Sequence, residues 1–197
     1  MAVLRLYYPC GMKMLWIVSV SAILLCLPVD NLLYGQALTP KPSPGIDDIY
    51  LEDQNARQPP NPSAPKPIYK SDEERQAATR RLLSSGDLKS GKEFREAAVI
   101  FQHSHQADDY LLAHTLAMVA MSKGDRDAIW IAAASLDRYL MAIGKPQIYG
   151  TQFMTPAGQH ATQEPYNRVL ISDELRKELQ VPSQAEQEVR RKGFDTP

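Results

Sequence analysis

The chain has 197 residues, a formal net charge of −1 and 44% hydrophobic residues. The near-neutral balance excludes the strongly basic surface that nucleic acid demands, and no nucleic-acid partner is expected. The apolar content suffices for a packed core, and the length left after residue 37 suits one domain.

Residues 1–37 have the layout of a secretory signal peptide. Arg5 and Lys13 precede an apolar run from Leu15 to Leu27, and Gly35-Gln36-Ala37 offers small residues at the two positions a signal peptidase reads. Cleavage is expected after Ala37, and Met12 or Met14 is an alternative start. A retained membrane anchor is the competing reading. The run is short for a span and Pro28 and Asp30 interrupt it, so no stable membrane span is expected after cleavage. Cys26 follows Ile23-Leu24-Leu25, whereas a lipoprotein signal needs a small residue just before the cysteine. Both cysteines, Cys10 and Cys26, fall inside this segment, so the mature chain has no thiol chemistry and no intrachain disulfide. The expected location is secreted or periplasmic.

Residues 38–70 hold eight of the fifteen prolines. Proline lacks a backbone donor and restricts its neighbour, so the composition predicts an extended, disordered linker. A proline-motif ligand for another protein is the alternative.

A single helical domain is expected over 71–195. Ser71-Asp72-Glu73-Glu74 is a capping box, opening a helix that closes near Gly86. A second helix starts near Ser90 and carries Phe94, Ala97, Ala98 and Phe101. A third covers about 107–122, with Leu111, Leu112, Leu116, Val119 and Ala120 apolar. The fourth places Ile129, Ala132, Ala133, Leu136, Leu140 and Ile143 at helical period; Asp125 or Asp127 can cap it, and Gly144 with Pro146 ends it. Phe94-Arg-Glu-Ala97-Ala98 precedes Ile129-Trp-Ile-Ala132-Ala133 by 35 positions, a spacing close to that of helix-turn-helix repeats. The fold class is therefore mainly α, with antiparallel helical pairs in a bundle or a short repeat-like array. Beyond it, 149–154 and 160–166 are expected to pair as a small β-hairpin around Thr155-Pro156-Ala157-Gly158. Ser172 and Ser183 each start a further short helix, to about Leu179 and Arg191.

Leu136-Asp137-Arg138 in a helix, followed by Gly144-x-Pro146-Gln147-x-Tyr149-Gly150-Thr151-Gln152, resembles the signature of an uncharacterised bacterial domain family. Gln102, His103 and Asp109 are similar to an upstream Gln-His and a downstream Asp of that family. The resemblance covers roughly residues 94–155 and departs from the pattern at Ser104-His105. It implies positions for a site and no chemistry.

The candidate binding residues are accordingly Gln102, His103, Asp109, Asp137, Arg138, Gln147, Tyr149, Gly150, Thr151 and Gln152. His103, His105, Asp108, Asp109 and His114 together could offer metal ligands, but they match no established zinc spacing, and no metal or cofactor is expected. Arg138, on an otherwise apolar helix, should either pair with a carboxylate such as Asp109 or Glu96 or grip an anion. In a strand, Gln147, Tyr149 and Thr151 would share one face, suiting a polar ligand, or they would satisfy the backbone where the helices meet the hairpin. Catalytic residues are unknown. The expected function is an exported binding or interaction module for a protein or a small polar ligand. The alternatives are a hydrolase-like enzyme using His103 with Arg138, and a structural domain of an envelope assembly.

Overall fold

The computed structural model describes residues 44–60 and 66–195. The predicted signal peptide and the first part of the predicted linker lie outside the described residues. Seven helices follow in order among those described: α1 (Ile46–Asn55), α2 (Asp72–Ser85), α3 (Gly91–Gln102), α4 (Ala107–Ser122), α5 (Ala128–Ala142), α6 (Asp173–Glu178) and α7 (Gln184–Gly193). The mainly helical class is as the sequence predicts, and none of these helices is long and apolar enough to cross a membrane.

The helix starts follow from their caps. The Ser71 hydroxyl accepts from Glu74 N, and Ser90 and Ser183 form reciprocal boxes with Glu93 and Glu186. Gly86 and Gly144 take positive φ just past α2 and α5, where a Cβ would be strained. The short connections after α3 and α4 make α3, α4 and α5 successive antiparallel neighbours. Small residues line their contacts: Ala97 and Ala98, Ala113, Ala117 and Ala120, Ala128 and Ala132 are all buried, so the helices can approach closely. Ile100 and Phe101 supply the bulk between them. His114 Nδ1 donates to Ala132 O at 2.9 Å, tying α4 to α5.

The linker expectation is corrected over 46–55. This stretch is helix α1, and its Ile46 and Ile49 belong to the same core cluster as Phe101. Ile46, Ile49 and Asp53 recur at i, i+3 and i+7, one narrow buried stripe on an otherwise charged helix. Glu52 then pins the returning chain, accepting from Ile68 N at 2.7 Å and Tyr69 N at 2.9 Å.

The hairpin expectation is also corrected. Among the described residues 147–166 makes only two isolated bridges, Gln147 with Tyr166 and Met154 with Thr162. The reason is a competition for donors. The backbone N–H groups of Ile148, Tyr149 and Thr151 go to the Asp137 carboxylate, and that of Gln152 goes to the Gln147 side chain. Four of the five N–H groups over 148–152 are thus withdrawn from any ladder, and Pro156 and Pro165 have none.

Candidate functional site

Asp137 is the centre of the motif region. It sits on the last turns of α5, fully buried, and the helix carries it toward the chain that returns after Gly144. Oδ1 accepts from Ile148 N at 2.8 Å and Tyr149 N at 3.0 Å; Oδ2 accepts from Thr151 N at 2.9 Å and Thr151 Oγ1 at 2.8 Å. Four donors converge on one buried carboxylate, which makes no ion pair among the described residues. The same charge, after burial, helps push the Tyr149 phenol above its ordinary pKa.

A second layer closes over this turn. Gln147 is fully buried; its Nε2 donates to Gln152 O at 3.0 Å and to Gln163 O. Gln163 Nε2 donates to Gly150 O at 2.6 Å, and Gln187 Nε2 to Tyr149 O at 2.8 Å. Gly150 has φ +80°, and a Cβ there would lie 2.6 Å from the Tyr166 ring and hydroxyl and closer still to the Gln187 amide oxygen. Arg176 is fully buried; it donates to Tyr166 Oη at 2.7 Å and to Ile171 O, and pairs with Asp173 at 3.2 Å. Burial raises the Tyr166 phenol pKa, an effect that the Arg176 charge opposes. Gln163, Arg176 and Gln187 were not singled out from the sequence. A lone Arg in Asp-Glu-Leu-Arg-Lys-Glu reads as a solvated charge, and nothing local marks a glutamine for burial.

Of the two expectations for Arg138, the ion pair is corrected. It is half-buried, it makes no ion pair among the described residues, and its Nε is buried without a hydrogen-bond partner. Asp109 is taken by Arg80 and by the Ser104 hydroxyl at 2.8 Å, and Glu96 by Lys92 at 2.6 Å. The residue that ties α5 to the segment is the neighbouring Asp137, because 100° of helix rotation separates the two side chains.

The upstream candidates form a separate cluster. His103 Nδ1 donates to the fully buried Asp53 of α1 at 3.0 Å. Asp53 is also met by Arg57 at 3.0 Å, and Arg75 lies 3.8 Å away. Gln102 is half-buried, and its Oε1 has no partner. His105 and Asp108 are exposed, and His114 is spent on Ala132 O, so the histidines diverge. No hydrogen bond joins His103 to Arg138 or to Tyr149 among the described residues.

The opening with the apolar character of a binding site lies elsewhere. A cleft of about 370 Å³ runs between α1 and the returning residues 66–70, with Leu51, Ala56, Pro67, Ile68 and Tyr69 as its apolar lining. Comparison with protein-family models, with curated proteins and with solved structures finds no match for this chain. The family resemblance thus rests on the motif residues alone.

Proposed function

We infer that this chain is an exported interaction module whose docking surface is the cleft between α1 and residues 66–70. The observation that supports it is the contrast between spent polar groups and unspent apolar ones. Asp137, Gln147, Thr151 and Gln152 direct their donors and acceptors into the fold, which leaves this segment few groups for a substrate. Leu51 and Ile68, by contrast, are large apolar side chains facing an open cleft whose walls are fixed by the Glu52 bonds. Export is part of the proposal and comes from the Arg5-to-Ala37 layout.

A photo-crosslinking side chain at position 51, in the protein's own host, tests the reading. Discrete adducts are expected there and not at a control position such as Met118, which is exposed on α4 and does not line the cleft. Equal labelling at both positions would reject the cleft as the docking surface.

The Asp53–His103 pair favours one alternative, a hydrolase-like reaction with His103 as general base. A buried carboxylate fixes one ring nitrogen and leaves the other to act. On that reading His103→Ala abolishes turnover while the fold persists, and Arg138→Met weakens anion binding; on the interaction reading neither change alters crosslinking at position 51.

A further inference from the structure

The cleft has a counterpart on the same molecule. On its walls Leu51 is 59% exposed and Ile68 52% exposed. Its carboxylates are occupied: Asp48 accepts from Gly45 N at 3.2 Å, and Glu52 holds the amides of Ile68 and Tyr69. Lys66 and Lys70, which also line it, have no ion-pair partner among the described residues. The cleft is therefore apolar with an unspent positive edge. Well away in sequence, the turn before α6 presents Val169 at 93% exposure and Leu170 at 57%, followed by Leu175 at 52%. This corner is convex and apolar, and acids follow it: Asp173 and Glu174 are exposed in the first turn of α6. Asp173 is held by the buried Arg176 and by Gln184 N, and Arg168 is paired with Glu164, whereas Glu174 makes no ion pair among the described residues; Lys177 is exposed beside it.

We propose that the cleft of one copy receives the Val169-Leu170 corner of a second copy, with Lys66 and Lys70 facing Glu174. The inference rests on the docking reading above and names its occupant. The two surfaces are different patches of one chain, so the contact is head-to-tail, and an assembly of any length keeps one free cleft at one end and one free corner at the other. Burial of Val169 and Leu170, among the most exposed aliphatic side chains described, supplies the driving force, and the charges set the orientation.

Sedimentation velocity on the purified protein, as its host produces it, tests this over roughly a hundredfold range of concentration. The sedimentation coefficient is expected to rise with concentration and to continue past the dimer. Leu51→Asp and Val169→Asp should each weaken association at least about tenfold with an unchanged circular dichroism spectrum, because both side chains stand in solvent in the single copy. Ile68→Asp repeats the cleft test should Leu51→Asp disturb α1. A mixture of Leu51→Asp and Val169→Asp chains retains one good cleft and one good corner, so it should form a 1:1 pair and stop there. Lys66→Glu with Lys70→Glu should weaken association, and Glu174→Lys added to them should restore part of it. A monomer throughout the range, association indifferent to both Asp variants, or a mixture no more associated than its parts each overturns the proposal. A monomeric protein that still crosslinks a different protein, or a peptide, at position 51 ends this inference and leaves the docking reading standing. Equal labelling at the control position ends the docking reading whatever the sedimentation result.

Discussion

The molecule has two regions with interiors of different proportion. From α1 to α5 most of the buried residues are apolar, with Ala97, Ala98, Ala117 and Ala120 fully buried between helices, although Asp53, Arg75 and Glu96 are buried there too. From Gln147 onward the buried apolar residues are few, namely Ala161, Tyr166 and Val181, while Gln147, Thr151, Gln163, Arg176 and Gln187 are buried beside them. The helices need size and period, and many sequences satisfy that demand. The C-terminal segment needs particular donors aimed at particular acceptors, because each buried polar group left without a partner costs about 1–3 kcal/mol. One region tolerates change of chemistry poorly and the other tolerates change of volume poorly.

The largest expected effect falls on the polar side. Asp137→Ala strands three backbone N–H groups and a hydroxyl, and should destabilise the protein by about 3–5 kcal/mol in urea denaturation. Hydrogen exchange should show amides 148–151 losing protection first; uniform loss across α3 and α4 would mean that the two regions are one cooperative unit. Gly150→Ala comes next, at about 3 kcal/mol, since the new methyl meets the Gln187 amide oxygen first and then the Tyr166 ring and hydroxyl, and the backbone already has φ +80°. The Gly150→Ala variant regaining stability when Gln187→Ala is added would assign most of that cost to the contact rather than the backbone.

On the apolar side Ala117→Leu tests volume. Overpacking the α3–α4–α5 contact should cost about 2 kcal/mol by the same denaturation assay, and a neutral outcome would show slack that the small residues do not suggest. Arg138→Met should change stability by less than about 1 kcal/mol, because among the described residues Arg138 has no ion pair to lose and its buried Nε has no partner. A loss near that of Asp137→Ala would restore Arg138 as the tie between α5 and the segment.

The smallest effect is a pH slope. Burial raises the Glu96 carboxyl above its ordinary pKa, with a contribution from its neighbour Asp47. A raised carboxyl binds its proton more tightly in the folded state, so its stabilisation is full at low pH. It is lost as pH climbs from the ordinary glutamate value through the folded one. Glu96→Gln should flatten that decline, and an unchanged or steeper slope would show that the Lys92 charge prevails over burial.

The same contrast explains what was legible in the sequence. Helix starts at Ser71, Ser90, Ser172 and Ser183 are local events, each written within four residues, and they stand where the caps put them. α1 was hidden because its buried stripe is only Ile46, Ile49 and Asp53, set among prolines and acids. The motif from Asp137 to Gln152 is visible as a unit, but an Arg on an apolar helix is the more conspicuous charge, and it is Asp137 beside it that holds the turn. A signal existed: an acid at the end of an apolar helix, followed by a glycine-containing turn full of unassigned N–H groups, is an anion site filled from within. Arg176 and Gln187 left no such trace, because their partners lie 10 and 38 positions away.

That last separation has a consequence for the order of assembly. Contacts among α3, α4 and α5 join near neighbours in sequence and can form while the chain is still emerging. The covering layer of the Asp137 turn cannot, because Gln187 must arrive to take Tyr149 O and to face Gly150. The helices α1 to α5 are thus a template that waits for α6 and α7. A nascent chain stalled before Gln187 should carry a protected α4 and an unprotected 148–151, with the Asp137 carboxylate still open to water.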